Sequence, residues 1–145
     1  MFDHLLVLCV GNICRSPMAE ALLRHALHQR GRDTTVRSAG LGALVGHAAD
    51  EHVLQLTASR GLDLSGHRAV QVDRQMLHWA DLILVMEAPH RAEVRLIDPS
   101  VAGKVFLLGH WIGAEIPDPY RQGLAVFEDR LELIERAVGA WIARL

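Results

Sequence analysis

The chain has 145 residues, half of them apolar, and a formal net charge of −2, which is enough for one domain with a sizeable core. Its basic residues are scattered and its pI is near 6.5, which argues against nucleic acid or an anionic membrane surface as the main partner. Two cysteines are too few for a disulfide scaffold, and no apolar run reaches the length of a membrane span or a secretory leader. A reducing, cytoplasmic setting is the expectation.

The first element is an apolar run at about 4–9, Leu5-Leu6-Val7-Leu8 at its centre. A helix is expected from 17 to about 30, with Ala19, Leu22, Leu23, Ala26 and Leu27 on one face and Gly31 at its end. Ser16 is its expected N-cap and Pro17 its first helical residue. A strand follows at about 34–38, a helix at about 49–60 and a short helix at about 73–79. Next come a strand at about 81–86, a helix at about 88–96 and a strand at about 104–108. The last helix runs from about 123 to 144, with Phe127, Leu131, Ile134, Val138, Trp141 and Leu145 on one stripe. The first, third and fourth strands are nearly continuous in Leu, Ile and Val, the pattern of strands buried on both faces. Strand–helix alternation then gives one doubly wound α/β domain over 1–145 with right-handed crossovers. In such sheets ligands bind beyond the carboxyl ends of the strands.

The segment Cys9-Val10-Gly11-Asn12-Ile13-Cys14-Arg15-Ser16-Pro17 occupies that place, after the first strand. A loop of this length can turn its backbone N–H groups, a helix N-terminus and one arginine towards a single anion. Gly11 and Asn12 suit it, because a tight anion nest needs residues that tolerate positive φ. Arg15 matches two phosphoryl oxygens as a fork, where lysine would offer only a point charge. An isolated cysteine usually fills core space, but Cys9 stands in an electropositive loop of the kind that favours a sulfur nucleophile. The expected chemistry is in-line attack on phosphorus, a phosphocysteine, and its hydrolysis. Asp118 lies far away in Pro117-Asp118-Pro119-Tyr120, and by its residues alone reads as a turn aspartate.

Cys9 to Pro17, together with Asp118-Pro119-Tyr120, resembles the low-molecular-weight protein-tyrosine phosphatase family. The likeness extends from about His4 to Trp141. It includes Ser38-Ala39-Gly40-Leu41-Gly42-Ala43-Leu44-Val45-Gly46 and Leu64-Ser65-Gly66-His67, which are similar to the bacterial branch serving exopolysaccharide and capsule export. The resemblance implies four parallel strands in the order 2-1-3-4 with helices on both faces. It makes Asp118 the general acid, since a tyrosyl leaving group needs a proton. It assigns substrate binding to Val10, Gly11, Asn12, Ile13, Cys14 and Ser16, with Leu44 and Tyr120 as cleft walls, and loop support to Ser38 and His67.

Leu44 stands where animal members carry an aromatic residue, and Arg121 where many eukaryotic members have a second tyrosine. Cys14 is either a loop filler or a redox partner that captures an oxidised Cys9 as a disulfide. No cofactor or metal is expected, since the eight histidines other than His67 show no ligand spacing and Cys9-x4-Cys14 is too short for a structural zinc clamp.

The implied partner is a phosphotyrosine protein, the tyrosine-rich tail of a membrane-bound autokinase, with inorganic phosphate as product and no membrane insertion. Three rival readings differ in particular residues. Thioredoxin-coupled arsenate reductase needs cysteines after Cys14, and there are none. Protein-arginine phosphatase has threonine at the place of Ile13, whereas isoleucine favours a flat ring. A non-catalytic phosphotyrosine-binding module would lose the thiol or the acid, and both are present.

Overall fold

A computed structural model describes residues 2–145. The core of the fold is a four-stranded parallel sheet, β1 His4–Cys9, β2 Thr35–Gly40, β3 Leu82–Val85 and β4 Val105–Leu107, in the order β2-β1-β3-β4. β1 and β3 lie in the interior and are buried along almost their whole length, as their unbroken aliphatic runs require. The period of two along each strand divides the core in two. Leu5, Val7, Cys9, Leu82 and Leu84 face one layer, while Leu6, Leu8, Ile83 and Val85 face the other.

Helices α1 Arg15–Gln29 and α5 Leu124–Ile142 pack against each other over the first layer, and α2 Glu51–Ala58 packs on α5. The α5 stripe buries Phe127, Leu131, Ile134, Val138 and Trp141, each worth about 1.5–3 kcal/mol in transfer terms. Leu145 lies past the helix end and only partly buried. The opposite layer is covered by α3 Arg74–Trp79, α4 Ala88–Ile97 and a 3₁₀ turn over Pro99–Lys104.

Helix starts follow local chemistry. Asp50 caps α2 by accepting the His52 N–H at 2.9 Å, and Asp73 caps α3 by accepting from Met76 at 2.8 Å. The start of α1 differs from the expectation. The helix begins at Arg15 with Cys14 at the cap position and no side chain capping it, so Ser16 is inside the first turn and Pro17 is the third helical residue. The reason lies in the loop before it, which directs Ser16 inward to the sulfur of Cys9. Two 3₁₀ turns, at Pro99–Lys104 and His110–Ile112, have no counterpart in the sequence reading. Their short runs carry no 3.6-residue periodicity to detect.

Candidate active site

The carboxyl end of β1 leads into the 9–15 loop, and every carbonyl of residues 9–14 is taken from outside the pocket. Leu41, Gly42 and Leu44 donate to Cys9, Val10 and Gly11; His67 Nε2 donates to Asn12 at 2.7 Å; Asp50 and Met18 donate to Ile13 and Cys14. A peptide whose oxygens are held outward turns its N–H groups the other way. Among the described residues, the N–H groups of 11–16 meet no protein acceptor, and together with the start of α1 they make an anion nest. Close approach fixes Gly40 in β2: a Cβ there would collide with the Val10 carbonyl.

Asn12 holds the loop from within. It is fully buried with φ of 59°, a left-handed conformation that Asn adopts more readily than most residues. Its Nδ2 donates to Ser16 Oγ at 2.8 Å and Ser38 Oγ at 3.0 Å, while its Oδ1 accepts the Val70 N–H at 3.0 Å. Ser38 donates its own O–H to Glu20, which pairs with Arg24. Ser16 Oγ, already accepting from Asn12, lies 2.9 Å from Cys9 Sγ, so its O–H is free to donate to sulfur, the direction a sulfur anion requires. Ser38 and His67 therefore touch the loop through Asn12.

Arg15 is 1% exposed. Its Nη1 donates to Glu87 Oε1 at 2.5 Å and to the Ile116 carbonyl at 2.8 Å. Both hydrogens of that nitrogen are engaged, which leaves the Nε–Nη2 edge, the bidentate one, for an oxyanion. Asp118 Oδ2 lies 3.8 Å from Nη2. Its Oδ1 accepts the Tyr120 N–H at 3.0 Å, and Gln122 and Arg130 hold the carbonyls of Asp118 and Pro117. The Asp118 loop is therefore fixed from several sides, although the carboxyl is nearly half exposed.

A cleft of about 280 Å³ opens here, lined among others by Cys9, Val10, Ile13, Leu44, Asp118 and Tyr120. Gln71 braces its rim, accepting from the Ala43 N–H and donating to the Leu41 carbonyl. Arg121, at φ of 64°, places its guanidinium 5.3 Å from the Tyr120 ring. Cys14 lines the cleft floor as a free, buried thiol. Burial pushes its pKa far up, and Asp50, Cys9 and Asp118 add to the effect, so it stays protonated.

Sequence reasoning missed Glu87, the Ile116 carbonyl, Glu20 and Gln71. Glu87 and Ile116 meet Arg15 across 72 and 101 residues of chain, and no local pattern announces either. Among the described residues no three His, Cys, Asp or Glu side chains converge to hold a metal ion, and no helix is long and apolar enough to cross a membrane.

The fold and site together define an α/β protein with a sulfur at the floor of a nest of unpaired backbone N–H groups. A family model described as low molecular weight phosphotyrosine protein phosphatase matches residues 4–145, and the chain belongs to that family. It is 46% identical over 145 residues to the probable low molecular weight protein-tyrosine-phosphatase EpsP of Ralstonia solanacearum, covering all of this chain and 97% of that protein. The crystal structure of the tyrosine phosphatase Wzb from Escherichia coli K30 in complex with sulphate superposes with a TM-score of 0.93 at 42% identity, covering 99% of each chain. Vibrio vulnificus Wzb in complex with benzylphosphonate superposes with a TM-score of 0.95 at 39% identity, covering 100% of each. The expected strand order and the expected enzyme class both stand.

Proposed function

We propose that this protein-tyrosine phosphatase works in the cytoplasm through a phosphocysteine on Cys9. Its proposed substrate is the phosphorylated tyrosine-rich tail of a membrane-bound autokinase in exopolysaccharide or capsule export. One observation carries the mechanism: outward-held carbonyls, the free Nε–Nη2 edge of Arg15 and Cys9 Sγ converge on one oxyanion-sized nest. The similarity of segments 38–46 and 64–67 to the exopolysaccharide branch supports the pathway.

Phosphotyrosine enters with its three non-bridging oxygens on the loop N–H groups and Arg15, and with its ring between Leu44 and Tyr120, beside Val10 and Ile13. Cys9 sulfur attacks in line: the S–P bond forms as the bond from phosphorus to the tyrosyl oxygen breaks. Asp118 Oδ2, unencumbered by the turn that occupies Oδ1, gives its proton to the departing oxygen. Asp118 then takes a proton from water as that water attacks phosphorus. The S–P bond breaks, and inorganic phosphate leaves. Charge on the equatorial oxygens is met by donors already in place, where preorganised electrostatics act most strongly. Ser16 stabilises the sulfur when it is expelled.

The test is Cys9→Ser. Turnover should vanish while inorganic phosphate or vanadate still binds, because nest and Arg15 remain. Turnover within about tenfold of the parent, a difference near 1.4 kcal/mol, would exclude covalent catalysis at Cys9.

A further inference from the structure

Behind the anchored Nη1 of Arg15 lies a buried imidazole that the chemistry above does not use. His90 is 6% exposed and stands in the first turn of α4, three residues after Glu87 at the cap position. Its Nδ1 accepts the Glu87 backbone N–H at 3.2 Å, which puts the ring proton on Nε2. That nitrogen is 3.9 Å from Glu87 Oε1, the same atom that holds Arg15. The separation is too long for a hydrogen bond, so the contact that counts is the one to the backbone.

The groups facing His90 are Arg15 of α1, Glu115 of the loop after the His110–Ile112 turn, Glu93 of α4 and Glu87 at the cap of that helix. Burial pushes the imidazole down from its ordinary value, and the Arg15 guanidinium pushes the same way against the three carboxylates. A neutral ring is what a nitrogen acceptor requires. The same helix start is tied to the Asp118 loop, since Glu115 Oε2 accepts the Ala88 N–H at 2.5 Å and Ile116 N–H donates to Met86 at 2.9 Å.

We propose that His90 is a positioning residue for phosphate recognition: by accepting the Glu87 N–H it fixes the start of α4, so that Glu87 holds Arg15 with its Nε–Nη2 edge towards the phosphate. The inference rests on the reading of Arg15 given above. A histidine that only filled space would behave differently, because any side chain of similar volume would replace it.

The experiment compares His90→Leu, which fills the volume without an acceptor, with His90→Gln. Glutamine at this helical position accepts the N-cap N–H in capping boxes. The readouts are the inhibition constant of inorganic phosphate and kcat/KM on a phosphotyrosine peptide. His90→Leu should weaken phosphate binding and lower kcat/KM by about tenfold, the worth of one buried hydrogen bond, and His90→Gln should stay within about twofold. In a Glu87→Gln background, His90→Leu should add little, since both changes act through one contact chain. Should His90→Leu fail to fold, His90→Ala carries the same forecast.

Equal impairment of the Leu and Gln variants overturns the proposal, as does a Leu variant equal to the parent or an undiminished loss in the Glu87→Gln background. A parent that binds no phosphate overturns the reading of the site and this inference with it. A parent that binds phosphate no better than His90→Leu removes this inference alone.

Discussion

Arg15→Lys keeps the charge and should still cripple the enzyme. In the parent, Nη1 is committed to Glu87 at 2.5 Å and to the Ile116 carbonyl at 2.8 Å, while Nε and Nη2 are left for substrate. A lysine has one nitrogen for both tasks. If it settles between Glu87 and Ile116, both donors to the phosphoryl oxygens are lost; if it reaches the phosphate, the Ile116 carbonyl loses its donor at a cost of about 1 kcal/mol. Loss of one preorganised donor to developing charge lowers rate by about 10²–10³, or roughly 2.7–4 kcal/mol. We expect a loss of that size in kcat/KM on both p-nitrophenyl phosphate and a phosphotyrosine peptide, with weaker inhibition by phosphate. The thermal midpoint should fall only slightly, because Glu87 keeps a cationic neighbour. Retention of kcat/KM within about tenfold, near 1.4 kcal/mol, would refute the fork and leave Arg15 as a mere charge.

Asp118→Asn should slow phosphotyrosine hydrolysis far more than hydrolysis of an ester whose leaving group needs no proton, because general-acid help grows with leaving-group basicity; equal losses on the two esters would remove Asp118 from the acid role. Ile13→Thr should move the ratio of kcat/KM values from phosphotyrosine towards phosphoarginine, since Ile13 faces the cleft. An unchanged ratio would place the discrimination in Leu44 and Tyr120. Mild peroxide should inactivate reversibly: Cys9 becomes a sulfenic acid with water released, and the Cys14 thiol then displaces a second water to give a disulfide. The buried, protonated state of Cys14 makes that second step slow. Without that thiol to capture the sulfenic acid, Cys14→Ser should gain two oxygens by intact mass and fail to recover with dithiothreitol; recovery equal to the parent's would make Cys14 a loop filler.

The sheet was legible because its chemistry is one-dimensional. Leu5 to Leu8 and Leu82 to Val85 can be buried on both faces only in a central parallel strand, and the α5 stripe from Phe127 to Trp141 shows its period over about four turns. The order of the strands came from family resemblance, since no strand's own sequence states its neighbours. The 9–17 loop was legible for a similar reason, as its donors are consecutive. What supports it was hidden. Ser16 read as a helix cap because serine before proline has that local meaning, and only the position of Asn12 and Cys9 sulfur turns it inward. Glu87 and His90 open a helix as unremarkable polar residues, and their meaning comes from Arg15 arriving from another element.

The central claim is a bond between phosphorus and the sulfur of Cys9. Its most direct measurement is rapid quenching of the Asp118→Asn variant with an activated aryl phosphate, followed by intact mass and fragmentation of the protein. The activated leaving group departs without a proton while water is no longer helped to attack, so the intermediate should accumulate. The account predicts one phosphoryl group per chain, located on Cys9 and absent from Cys9→Ser. Full turnover with no phosphoenzyme at any quench time, or a phosphoryl group on another residue, would contradict it.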